Sequence, residues 1–343
     1  MKEDKIIDAS SGVNPLGPSN KVKSAVRKAI KMINHGSLMK TEGLKRLFES
    51  KFGLSPENVL FANSLKELIY LIPNVLNPSR VLIVGPALDM YQDAALSAGA
   101  EVLILNAGEE EDFSVDISHI RENTENIDLV FLANPNRITG RMISLETLRE
   151  TISVLPSGSP HFVIDESMVE FAESGVYPDD MITHGNITIL RTTAFFYGMP
   201  GLELACAVSS SEVINEYKKR KHWEINLLSA EAARTAHKDL TYKKASQQYL
   251  QREKNMMIRM LNKIKWITVY ESDTNILLIK VAHDADEFIQ KLRRAGFDIK
   301  DCGDICGLGS SFFRLGVMKH ENNLKFIAAL SRFTQSNKAR KLV

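Results

Sequence analysis

Four polar side chains close strand-like apolar runs in this chain: Asn63, Asn134, Asp165 and Arg191. A carboxylate, a guanidinium and two amides in such places could hold a small charged molecule, because open α/β sheets bind ligands at the carboxyl edge of their strands. Beside the first of them, Ser64-Leu65-Lys66-Glu67 sets a glutamate three residues after a serine and ahead of an apolar run, which is a capping-box pattern. It predicts a helix starting at Leu65. The unpaired N–H groups and dipole of that start could hold a phosphate, and a plain helix cap explains the pattern equally well.

Other reactive types carry less. Cys206, Cys302 and Cys306 lack the Cys-x-x-Cys pairing with nearby histidines that zinc sites use, and no base flanks Cys302, which reads as a packed thiol. His161, His184, His222 and His320 are scattered without ligand spacing, so no metal is expected.

The elements that must position these groups follow from the apolar pattern. Short β-rich runs at Val59–Ala62, Arg80–Val84, Glu101–Leu105, Asp128–Ala133, His161–Asp165, Ile187–Leu190 and Leu204–Val208 alternate with helical stretches. This is the rhythm of a mostly parallel, seven-stranded sheet buried on both faces. A long helical stretch then runs from about Glu212 to Ile264 with a break near Asn226. Strands at Ile267–Tyr270, Asn275–Lys280, Phe297–Lys300 and Phe312–Val317, with helices at Ala285–Ala295 and Glu321–Phe333, form a smaller α/β module completed by the N-terminal segment.

With 343 residues, 44% hydrophobic, the chain is long enough for two cores. Its 43 basic and 42 acidic side chains balance, so no long-range field recruits nucleic acid or an anionic membrane. The clusters Lys218-Lys219-Arg220-Lys221 and Lys338-Ala339-Arg340-Lys341 read as a solvated helix face and a tail. No run reaches membrane-spanning length and the first residues lack a signal-peptide core; a reduced, cytoplasmic protein is expected.

Several landmarks occur in a telling order: Asn14-Pro15-Leu16-Gly17-Pro18, Asn134-Pro135-Asn136-Arg137-Ile138-Thr139-Gly140, Asp165-Glu166-Ser167-Met168, Pro200-Gly201-Leu202, Trp223-Glu224-Ile225-Asn226, Asp301-Cys302, Gly307-Leu308 and Arg314-Leu315-Gly316-Val317. Together they resemble the fold type I pyridoxal-phosphate enzymes, in the branch of histidinol-phosphate aminotransferase and L-threonine-O-3-phosphate decarboxylase. The run of Asp301-Cys302, then Gly307-Leu308, then Arg314 leans towards the decarboxylases. The resemblance covers nearly the whole chain and implies a large domain over residues 31–229, a small α/β domain from 1–30 and 230–343, and a homodimer.

Carried over residue by residue, the resemblance divides the site. Asp165 matches the aspartate that pairs with the pyridinium nitrogen, Arg314 the arginine that takes the substrate carboxylate, and Asn14 lies in the loop that meets the substrate. Thr192 replaces a serine that bonds the cofactor phosphate, and Tyr91 is kept. Phe195, however, stands at the Schiff-base lysine, and a phenyl ring is neither nucleophile nor base. Glu203 replaces the arginine that binds the phosphate. At 4 Å and an effective dielectric near 20, each like-charged pair there costs roughly 4 kcal/mol before screening.

Arg137 stands in place of an asparagine and Met168 in place of a tyrosine, both of which contact the ring hydroxyl. Leu88 replaces the stacking aromatic. The glycine-rich phosphate loop has become Ala62-Asn63-Ser64-Leu65-Lys66-Glu67, leaving Asn63 and Ser64 as its remnants. The expectation is that Phe195, Leu88 and Met168 fill the vacated pocket and that Arg137 pairs with Glu203 across it. No cofactor is expected, and the reading is a non-catalytic homologue that binds a partner, such as an active relative, or an amino-acid-like anion through Arg314. The alternative is an aminotransferase or threonine-phosphate decarboxylase-like enzyme that uses pyridoxal or pyridoxamine phosphate without the lysine.

Overall fold

Seven strands assemble into one sheet whose inner strands are buried on both faces, while the edge strand Glu101–Asn106 is only partly covered. The computed structural model describes residues 6–34, 38–153, 160–172, 182, 186–282 and 285–340; His184 and Lys341 lie outside them. The strands are β2 (Val59–Ala62), β3 (Arg80–Gly85), β4 (Glu101–Asn106), β5 (Leu129–Ala133), β6 (His161–Asp165), β7 (Ile187–Thr192) and β8 (Ala205–Val208), following the short β1 (Ile7–Asp8). Their order is β2-β8-β7-β6-β5-β3-β4. Five of them pair in parallel, while β8 runs antiparallel to both β7 and β2.

Alternation within a strand divides the core. Val81, Ile83, Leu129, Phe131 and Val163 face one cluster, while Leu82, Val84, Val130, Leu132, Phe162 and Ile164 face the other. Each such side chain contributes about 1.5–3 kcal/mol when fully buried. Register then sets the edge: Ala133 lies beside Asp165, Thr192 beside Ala205, and Ala62 beside Ala205. Because β8 is reversed, the residues just before it, including Glu203, arrive at the same edge where β2, β5, β6 and β7 end.

A second sheet, β12-β13-β10-β9, is antiparallel and joins β9 (Ile267–Val269), β10 (Ile276–Val281), β12 (Lys300–Asp301) and β13 (Phe312–Gly316). The N-terminal β1 pairs in parallel with β11 (Phe297–Asp298) in a separate two-stranded sheet. The run expected as one strand over Phe297–Lys300 is two. Ile299 is buried between them, and the flanking residues bond to different sheets.

The long helical stretch after β8 is three helices, Ser211–Arg220, Leu227–Lys238 and Leu240–Leu261. The second begins at the cap Asn226, whose Oδ1 accepts from the Leu228 and Ser229 N–H groups, and Asp239 caps the third through the Tyr242 N–H. No helix among the described residues is long and apolar enough to cross a membrane.

Candidate functional site

Asp165 ends β6 with 1% of its surface exposed. The Tyr91 hydroxyl donates to its Oδ2 at 2.5 Å and the Ser167 N–H to its Oδ1 at 2.8 Å. Burial, and then the Asp165 carboxylate, push the Tyr91 phenol well above its ordinary range, so the phenol is a neutral donor. Tyr91 stacks on Phe131 at 5.2 Å, which fixes the ring beneath the strand ends.

Arg137 is aimed at the same carboxylate by its turn. The Asn136 Oδ1 accepts from the Ile138 and Thr139 N–H groups, and its amide donates to Pro86, so the residue between them projects over the sheet edge. The Arg137 guanidinium lies 3.9 Å from Asp165 Oδ2, 4.6 Å from the centre of the Phe195 ring and 3.7 Å from the Met90 sulfur. Phe195 sits in the turn after β7, where Gly198 holds φ +66°. A Cβ at Gly198 would lie 2.7 Å from the Gly17 Cα, so only glycine lets the two loops approach.

Glu203 is not the partner of Arg137, contrary to the charge bookkeeping of the sequence. Its Oε1 accepts from the Leu65 N–H at 3.0 Å and from the Thr192 hydroxyl at 2.6 Å. The reason is the helix Leu65–Leu76, which presents unpaired N–H groups and a positive dipole end directly beside the start of β8. The predicted capping box is present in shifted form: Ser64 Oγ accepts from Glu67, and Glu67 reaches back to the Asn63 N–H. Asn63 is otherwise spent on the chain, bonding Glu224 and Asn226.

Met168 and Leu88 have different surroundings. Met168 is buried with its Cε towards Gly12, while Leu88 packs both on the cluster of Ile138, Tyr270, Leu278 and Phe312 and on the one that holds Ile83, Tyr91 and Phe131. Asn14 is buried, and its amide donates to the Phe196 carbonyl and the Tyr242 hydroxyl. Both amide hydrogens therefore serve the fold.

Arg314, on β13, is 7% exposed. It donates to the Arg137 carbonyl at 2.6 Å and to the Ser10 carbonyl, while its Nε has no partner. No carboxylate among the described residues pairs with it. Burial and then the neighbouring Arg137 charge lower its pKa to about 10.

A family profile described as "Aminotransferase class I and II" matches residues 4–330. The chain belongs to this aminotransferase family. It is 30% identical over 332 residues to histidinol-phosphate aminotransferase 2 of Archaeoglobus fulgidus, covering 96% of this chain and 93% of the relative. It is 25% identical over 334 residues to threonine-phosphate decarboxylase of Salmonella typhimurium, covering 96% and 92%. The crystal structure of histidinol-phosphate aminotransferase from Clostridium acetobutylicum superposes with a TM-score of 0.89 at 23% identity, covering 96% of this chain and all (100%) of that one.

Within this class I and II aminotransferase fold, the sheet edge also holds charges that the sequence did not assign. Arg191, named only as a strand-ending residue, pairs with Glu166 at 2.6 Å, both nearly buried. Burial pushes the Glu166 carboxyl up and Arg191 opposes it. Burial also works against ionisation of Glu170, but Lys243 and His237 outweigh it and hold that carboxyl below its usual range. The adjacent acid in Asp165-Glu166 was the available signal for the first pair. Cys302 is a packed thiol as expected, pushed by burial to about 12.

Proposed function

We propose that this aminotransferase-family chain has given up pyridoxal phosphate and acts without turnover, binding a partner or an amino-acid-like anion through Arg314. The observation that carries the reading is Phe195, at the position the resemblance gives to the lysine, covered by the Arg137 guanidinium at 4.6 Å. The residues present do not fit the cofactor. Residues 187–204 contain no lysine to form an imine. Glu203 places a carboxylate on the Leu65 N–H and Thr192 hydroxyl, where a phosphate would need those donors. Arg137 faces Asp165 with the charge that a protonated pyridine ring would bring.

Arg314 supports the ligand half of the proposal. It is a buried cation with an unmatched Nε–H, and an incoming carboxylate would supply charge-assisted hydrogen bonds. Calorimetric titration with α-amino acids and with the corresponding amines lacking the carboxylate tests it. Carboxylate-dependent binding that weakens by about tenfold or more in Arg314→Gln is expected, since hydrogen bonds to charged groups are worth about 1.5–3 kcal/mol. Equal binding by Arg314→Gln would remove this role. A homodimer, or a heteromer with an active relative, belongs to the same proposal, and sedimentation tests it.

Asp165, still bonded by Tyr91, favours a second reading. An aminotransferase or threonine-phosphate decarboxylase-like enzyme would keep that carboxylate for a pyridinium nitrogen and use the cofactor without the lysine. Such a protein retains added pyridoxal or pyridoxamine phosphate through gel filtration; the non-catalytic one elutes without it.

A further inference from the structure

At the start of the Leu65–Leu76 helix, a carboxylate of the chain itself occupies a backbone donor. Helix N-termini bind phosphates through unpaired N–H groups and the positive dipole end. Here the Leu65 N–H donates to Glu203 Oε1, and the Thr192 hydroxyl donates to the same oxygen. The direction of the second bond is fixed because a carboxylate only accepts; Thr192 Oγ1 itself accepts from the Ala194 N–H at 3.1 Å. The Asn63 and Glu67 N–H groups are satisfied by Glu67 and Ser64. A carboxylate from the turn that leads into β8 thus gathers donors from two separate segments, the helix start and the end of β7.

We infer that Glu203 is a built-in anion that closes a latent phosphate site and holds the helix start, β7 and β8 together without an external ligand. The inference rests on the cofactor-free reading and extends it. The chain does more than lack a lysine, since it carries its own substitute for a bound phosphate. Any phosphate or phosphate monoester entering here must displace Glu203 and sit beside its charge. Removing the carboxylate leaves the Leu65 N–H and Thr192 hydroxyl facing open space, a site for a tetrahedral oxyanion.

The test is calorimetry and thermal melting of the full chain with inorganic phosphate, comparing the native protein with Glu203→Ala and Glu203→Gln. Phosphate also stabilises proteins generally by exclusion from their surface, but that effect is common to all three. Glu203→Ala is expected to bind phosphate at least about tenfold more tightly than the native chain and to gain more in melting temperature. Glu203→Gln, which still accepts both bonds, should lie between. Equal phosphate affinity in the native chain and Glu203→Ala would overturn the inference.

A second comparison stands if Glu203→Ala fails to fold. Phe195→Lys alone should not acquire the visible imine absorbance with pyridoxal phosphate, whereas Phe195→Lys combined with Glu203→Arg should. Equal colour in both would also overturn the inference. Pyridoxal phosphate binding by the unaltered chain would instead remove the cofactor-free reading, which phosphate binding in Glu203→Ala does not address.

Discussion

The guanidinium carbon of Arg137 lies 4.6 Å from the centre of the Phe195 ring, and the same guanidinium reaches to 3.9 Å from Asp165. A cation held between an aromatic face and a buried carboxylate is a stable arrangement in its own right. It converts three positions of the aminotransferase frame into one internally satisfied unit.

The first prediction concerns that contact. A double-mutant cycle of Phe195→Leu with Arg137→Gln, followed by urea unfolding, should give a coupling of about 0.5–2 kcal/mol, the range of partly desolvated cation–π pairs. Additive effects would show that the ring and the guanidinium are neighbours without being partners.

Tyr91 and Asp165 make a second. Tyr91→Phe removes the donor at 2.5 Å from a carboxylate that is 1% exposed, leaving it the Ser167 N–H and the more distant Arg137. Stability should fall by about 1.5–3 kcal/mol, as for hydrogen bonds to charged groups. A change within a few tenths of a kcal/mol in the urea midpoint would contradict the assignment.

How much of this was legible beforehand differs by residue. The seven strands and the edge carrying Asp165 follow from apolar runs with polar ends. The start of the helix at Leu65 follows from Ser64 and Glu67. The partner of Glu203 does not, because charge balance pairs opposite signs without regard to place. The dipole end of a helix brought alongside by the reversed β8 is a closer partner than Arg137. Likewise the break at Ile299 depends on which sheet each half joins, a tertiary choice that local periodicity does not encode. Asn14 was read as meeting a ligand, but its amide ties its loop to Phe196 and Tyr242.

The third prediction is a pH dependence. Burial holds the His161 imidazole at about 4, against an ordinary value of 6.5, with its Nε2 at 2.8 Å from the Thr188 hydroxyl. The folded pKa is depressed, so the unfolded chain takes the proton first. The stability associated with neutral His161 is complete above 6.5 and is lost as pH falls towards 4, by on the order of 3 kcal/mol. His161→Gln should flatten the urea midpoint between those pH values relative to the native chain. An unchanged slope would assign the acid sensitivity to other groups.

The most direct test of the central claim is a titration of the purified chain with pyridoxal phosphate and with pyridoxamine phosphate, read by absorbance and calorimetry. With Phe195 under Arg137 and Glu203 on the Leu65 N–H, neither should bind tightly, and the cofactor's spectrum should be unchanged by the protein. Tight binding of either would contradict the account and direct attention to lysine-independent chemistry at Asp165.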